Sequence, residues 1–285
     1  MRIGATLRKT QAMLLAIGLL AAPTLSWANA DAYYERAFVV AANQRCNLFR
    51  PELASALNAA TAQARGAQLR GGASMATLSQ TAARARARAR SVACDSADLQ
   101  VVRGRVEQAF SGWSRTSRMT FPGQDKSWLA DRAGRENASW RLVQNTVVGA
   151  SPVSFGYAGQ GAASELTAVV SFVGRPRPYA ARLVMRDRAR SPRPWLSRDA
   201  TAPESLRTSV WSTGQRSADL SLLAEGRRAG EAWRFPVEAA TRLEHLDPRE
   251  AFAVEFLFRD GTVATARFEA GDFAAGRAFL AMGML

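Results

Sequence analysis

Two thiols, one imidazole and a large surplus of guanidiniums bound the chemistry open to this 285-residue chain. Cys46 and Cys94 are its only cysteines, with no C-x-x-C spacing and no neighbouring histidine. That pattern points to a structural disulfide rather than a redox or metal-binding pair. A bridge closing a loop of that length stabilises by about 4 kcal/mol on the chain-entropy account.

His245 is the only histidine, which excludes every site needing two, including H-E-x-x-H zinc proteases and three-histidine metal centres. A Ser-His-Asp triad would have to use His245. It lies in Leu243-Glu244-His245-Leu246-Asp247-Pro248, a helix end where an imidazole compensates the dipole at the surface. There is no G-x-S-x-G elbow. Gly156-Tyr157-Ala158-Gly159-Gln160-Gly161 lacks the G-K-[ST] of a phosphate loop and precedes a strand pattern, so it reads as a hairpin loop. No metal set and no cofactor are expected.

Carboxylates are harder to exclude, because two acids can hydrolyse a glycoside without histidine. Glu255 alternates with apolar residues in a strand pattern, and Asp247 and Glu250 flank a turn. No spacing marks a particular pair as catalytic, so no catalytic residue is assigned.

Two arginine clusters are the candidate anion-binding groups. The first is an Ala-Arg repeat carrying Arg84, Arg86, Arg88 and Arg90. At 100° per residue these flank the apolar stripe Leu78, Ala82, Ala85 and Ala89. They form either a solvated helix face or a basic face for anionic lipid or polymer. The second is Arg186, Arg188, Arg190, Arg193 and Arg198, interleaved with Pro192, Pro194 and Trp195. Guanidiniums there could take phosphate or carboxylate in pairs of bonds, and Trp195 could stack on a sugar. The bland alternative is a solvated loop. Asn137-Ala138-Ser139 matches a glycosylation sequon, relevant only in a eukaryotic secretory route.

The compartment follows from the other end of the chain. Arg2, Arg8 and Lys9 precede an uncharged run over residues 12–22; Pro23 breaks it, and Ala28-Asn29-Ala30 places small residues at a signal-peptidase site. Residues 1–30 are therefore expected to be a cleaved secretory signal rather than an anchor, since a span needs about 20 apolar residues. The mature chain is expected to be exported, periplasmic or extracellular, with no transmembrane span.

The formal net charge is +14, three of whose positive charges belong to that leader, and the only lysines are Lys9 and Lys126. An arginine excess with so little lysine and much alanine is the composition GC-rich coding would favour, and the charge itself favours anionic partners whatever its origin. Outside the membrane these would be anionic lipid, acidic glycan or an acidic envelope protein; nucleic acid is disfavoured.

The elements that must position these groups fall into two textures. Residues 31–115 are Ala-rich and helical by period, in four stripes. Tyr34, Phe38, Ala42, Cys46 and Phe49 form the first; Leu53, Leu57, Ala60 and Ala64 the second. The third runs from Leu78 to Val92, and Leu99, Val102, Val106, Phe110 and Trp113 form the fourth. Pro51 suits a first helical turn, Gly71-Gly72 a helix end, and Asp95 a cap. Residues 116–285 alternate instead, with strands expected over 140–147, 153–157, 165–173, 179–187, 207–213, 233–237, 252–259 and 262–268. Asp260-Gly261 is the strongest hairpin signal. Short helices are expected over 237–245 and around Phe273, Arg277 and Leu280.

The fold class is therefore α+β. An N-terminal antiparallel helical segment with a disulfide precedes a mostly antiparallel sheet or sandwich with a C-terminal helix. The functional expectation is an exported, soluble, non-enzymatic binding or structural protein of the cell envelope. The alternative is a secreted carboxylate-dependent hydrolase acting on glycans.

Overall fold

A computed structural model describes residues 25–161, 163–197 and 201–285, so most of the expected leader and Arg198 lie outside the described residues. Four helices come first: α1 (Leu25–Cys46), α2 (Pro51–Arg70), α3 (Met75–Ser91) and α4 (Ala97–Phe110). Their ends follow local chemistry. Pro51 opens α2, and Gly71 ends it, with Gly72 at φ +97° making the turn. The hydroxyl of Ser74 accepts the Thr77 N–H at the start of α3, and that of Ser96 accepts the Leu99 N–H at the start of α4. The cap of α4 is thus Ser96, one residue beyond the expected Asp95.

Cys46 and Cys94 form a disulfide with Cα atoms 5.5 Å apart. It joins the C-terminal ends of α1 and α3, which run side by side, with α2 packed against α1 in the opposite sense. Buried alanines such as Ala56, Ala59, Ala60, Ala85 and Ala89 let the helices approach closely. On α1 the deepest residues are Tyr33, Val39 and Ala42, while Tyr34 and Phe38 are half-buried. The helix packs on two neighbours, so its buried arc is wider than a single stripe.

The rest of the chain is an antiparallel sandwich. One sheet holds β1 (Arg118–Pro122), β2 (Ser127–Asp131), β3 (Ser139–Val148), β4 (Ser151–Gln160), β5 (Ala163–Val170), β9 (Glu231–Phe235) and β8 (Gly214–Ser217), in that order. The other is β11 (Val263–Glu269), β10 (Ala251–Leu257), β6 (Ala180–Arg186) and β7 (Arg207–Trp211). Helix α5 (Val237–Glu244) follows β9, and α6 (Phe273–Leu280) follows β11.

The inner faces meet in an aromatic core. Trp128 stacks on Phe252, and Phe155 touches Phe235, Phe252 and Phe268. Phe252, Val254, Phe256 and Phe258 all point inward, as their alternation demands. Each such side chain contributes roughly 1.5–3 kcal/mol by burial. The same core continues through Leu57, Ala60, Val106 and Phe110 of the helices.

Both open sides of the sandwich are bridged. On one, Gln144 of β3 accepts the Glu269 N–H (2.7 Å) and donates to its carbonyl (3.3 Å), so a buried side chain takes the place of a strand against β11. On the other, the chain crosses from β7 to β8, with Ser212 bonded to Ala181 and Thr213 to Arg234.

The glycine-rich stretch 156–161 corrects the sequence reading in part, because β4 runs on to Gln160 and only Gly161, at φ +58°, begins the turn. Gly156 sits at φ +152° opposite an irregularity between Trp140 and Leu142, where a Cβ would run into the Leu142 carbonyl.

Candidate anion-binding surfaces

Helix α3 contains no Asp or Glu, and Arg84, Arg86, Arg88 and Arg90 are all exposed. Among the described residues none of the four has a carboxylate partner; the Arg84 guanidinium donates only to the Thr81 hydroxyl, at 3.3 Å. Arg84 and Arg88, like Arg86 and Arg90, are i,i+4 neighbours, a like-charge arrangement costing a few tenths of a kcal/mol per pair. Packing on α1 leaves this face at the outside of the bundle. Arg45 of α1 adds a cation at the same end, its guanidinium bonded to the carbonyl of Val92.

The second cluster is divided. Arg186 is buried and donates to both carboxylate oxygens of Glu250 and to the Ser191 carbonyl. Glu250 also accepts the backbone N–H groups of Trp195 (3.0 Å) and Asp247 (2.8 Å). Arg186 and Glu250 are thus the anchor of the loop after β6. Trp195 is half-buried, with its indole nitrogen enclosed. Arg190 lies 3.4 Å from Asp187, whereas Arg188 and Arg193 are exposed. This loop packs around Glu250 and α5, while α3 packs on α1 at the far side of the bundle, so the two clusters occupy separate surfaces.

A third basic surface escaped the sequence reading. One end of the sandwich gathers Arg175, whose guanidinium lies over the Phe258 ring, and Arg177, 3.2 Å from Glu231. Arg227, bonded to the Ala150 carbonyl, joins them there. Exposed Val173 and Tyr179 share that end. The signal available in sequence was the run Arg175-Pro176-Arg177-Pro178-Tyr179, an arginine, proline and aromatic loop of the kind read at 186–198.

The carboxylates tell a different story. Asp247, Glu250, Glu255, Glu231 and Asp272 are buried, and each is held by arginine: Arg249, Arg186, Arg182 with Arg207, Arg177 and Arg70 respectively. Burial pushes the carboxyls of Glu231 and Asp272 up, with their arginines opposing. At Asp131 burial also pushes up, but the Ala133 N–H and the guanidiniums of Arg135 and Arg118 outweigh it and hold the group low. These are scaffold pairings. The remaining acids of interest, Glu136, Glu165 and Asp219, line an open polar cleft of about 830 Å³ beside Arg135, Arg216 and Arg234. Glu165 lies 3.4 Å from Arg234.

Among the described residues no helix is long and apolar enough to cross a membrane. Comparison with protein-family models, with curated proteins and with solved structures gives no match, so the functional reading rests on the residues and their geometry.

Proposed function

We propose that this protein is exported and acts without catalysis at the cell envelope, holding an anionic lipid surface or acidic glycan against the exposed face of α3. Export is supported by the basic, apolar and A-x-A segments of residues 1–30 and by a disulfide of the kind that persists in oxidising compartments.

The observation that carries the binding reading is the contrast in arginine pairing. Buried acids of the sandwich each have a guanidinium partner, whereas α3 presents four guanidiniums and no acid of its own, and none of the four is ion-paired among the described residues, Arg88 sharing a pocket with Glu35 and Asp98 without an ion pair to either. A helix that is merely solvated gains from interspersed signs; this one accepts like-charge repulsion that an anionic surface relieves.

The test is co-sedimentation of the full chain with anionic and with zwitterionic vesicles, and retention on acidic glycan, at low and physiological salt. At roughly 1 kcal/mol per arginine near an anionic surface, replacing all four by Gln weakens binding on the order of a thousandfold at low salt. The wild-type signal falls as salt rises, because the Debye length shrinks to about 8 Å at 0.15 M. No binding, or binding indifferent to salt, overturns the proposal.

The polar cleft at Glu136 and Glu165 is the one feature that favours a glycan hydrolase instead. Release of reducing ends from acidic glycan, abolished by Glu136→Gln or Glu165→Gln, would establish that reading.

A further inference from the structure

The loop leaving β6 and the last turn of α5 flank an open cavity of about 340 Å³, lined by Asp187, Arg188, Thr208, Thr241, Arg242 and His245. Its charge is resolved by the pairings around it. Asp187 is the acid of the lining, and it is already engaged: Oδ1 accepts the Ala189 N–H at 2.9 Å, and Oδ2 faces Arg190 at 3.4 Å. Arg186 beneath is neutralised by Glu250. Arg188 and Arg242 have no carboxylate partner among the described residues, so within those residues the cavity keeps two positive charges without a counter-charge.

The polar groups are also held in place. Arg242 donates to the Thr208 hydroxyl oxygen at 3.2 Å, which fixes the guanidinium and leaves the hydroxyl hydrogen free to donate. His245 Nδ1 lies 2.6 Å from the Thr241 carbonyl, so Nδ1 carries the hydrogen and Nε2 is the free ring nitrogen. The C-terminal end of α5 brings roughly half a negative charge, which two full guanidinium charges exceed.

We propose that this cavity binds a phosphoryl group. Two guanidinium forks and a hydroxyl donor, carried on the loop, β7 and α5, can serve several oxygens of a tetrahedral anion. A planar carboxylate is satisfied by one fork alone. The volume is at the small end of ligand sites, enough for a phosphoryl group with a glycerol- or sugar-sized substituent. The site stands apart from the α3 face, and either can fail without the other.

The experiment is titration of the full chain with inorganic phosphate and with glycerol phosphate, by calorimetry and by amide chemical shifts. Saturable one-to-one binding is expected, with shifts centred on Arg188, Thr208 and His245. Arg188→Gln with Arg242→Gln weakens it at least about tenfold. Both side chains are exposed, so the thermal midpoint stays near wild type, and the α3 quadruple variant still binds phosphate. Competition by phosphatidylglycerol vesicles assigns the group to a lipid headgroup; phosphate binding untouched by vesicles assigns it to a soluble ester. Absence of saturation up to about 10 mM phosphate, or affinity unchanged in the double variant, overturns the proposal.

Discussion

Replacing Arg186 by Met tests whether the loop after β6 is anchored by a buried charge pair. Glu250 is 1% exposed in its side chain and Arg186 4%, so neither charge sees bulk water. In the folded chain Glu250 accepts four bonds, two from the guanidinium and two from the backbone at Trp195 and Asp247. Arg186→Met removes the charge-assisted pair and leaves a buried carboxylate with two amide donors. Breaking a buried pair from one side costs about 3–5 kcal/mol. Adding Glu250→Gln removes the stranded charge while keeping an acceptor oxygen for one amide, so the double variant loses about 1–3 kcal/mol, less than the single. Urea unfolding followed by circular dichroism reads both values, and the single-variant loss persists at high salt because the pair is shielded from ions. A loss below about 1 kcal/mol for Arg186→Met refutes the reasoning, as does a double variant whose cost equals the sum of the two singles.

Cys46→Ser with Cys94→Ser lowers the urea-unfolding free energy by about 4 kcal/mol, since the bridge spans a sequence separation of 48 residues. Gly66→Ala places a Cβ against the Asp272 carboxylate at the junction of α2 and α6 and costs roughly 1–3 kcal/mol. By contrast Gly104→Ala, with open space around it in α4, gains about 0.5–1 kcal/mol; thermal melts of the two variants should move in opposite directions. The raised carboxyl of Asp272 means the folded state holds its proton more tightly than the unfolded chain. Its contribution therefore falls as pH rises from the ordinary aspartate value of about 3.9 through the higher folded one. Wild type accordingly gains stability relative to Asp272→Asn as pH is lowered from neutral through that window, and an unchanging difference in urea midpoint contradicts this.

The features legible in sequence are those set by local period and turn chemistry. The inward row Phe252, Val254, Phe256 and Phe258, the Asp260-Gly261 turn at φ +80° for Gly261, and the α2 start at Pro51 needed no knowledge of the fold. Strands β1, β2 and β8 were not legible. They are only four or five residues long, β1 ends in Pro122, and β8 is Gly-Gln-Arg-Ser with no apolar alternation. An edge strand tolerates both, because one side of its ladder is empty. Other features depend on partners far away in sequence. The turn between β1 and β2 wraps its N–H groups at 124–126 around the Glu269 carboxylate, and Arg70 meets Asp272 across 202 residues. The phosphoryl cavity is of this kind: Arg188 and His245 were each noticeable, but only the packing of α5 on the loop brings Arg242 and Thr208 beside them.

The arginine excess separates into two populations with different physical demands. In the sandwich the guanidinium is chosen for its shape. Arg249 grips Asp247 through two bonds of 2.9 Å, and Arg182 reaches Glu255 at 2.7 Å while lying over the Trp211 ring. Arg132, itself buried, donates to the carbonyls of Gly283, Thr116 and Met282 with its charge over Phe279. A lysine has the charge for these places but not the planar fork. On α3 no geometry is demanded, since the side chains reach into solvent, and charge alone distinguishes Arg84, Arg86, Arg88 and Arg90. Coding bias toward arginine can fill both populations, yet it does not account for the missing acids of α3. The buried acids of the sandwich each take an arginine, whereas α3 carries four exposed guanidiniums and no acid of its own. Positive charge without a carboxylate partner among the described residues thus stands on α3 within reach of a partner, as it also does at Arg188 and Arg242 on the sandwich.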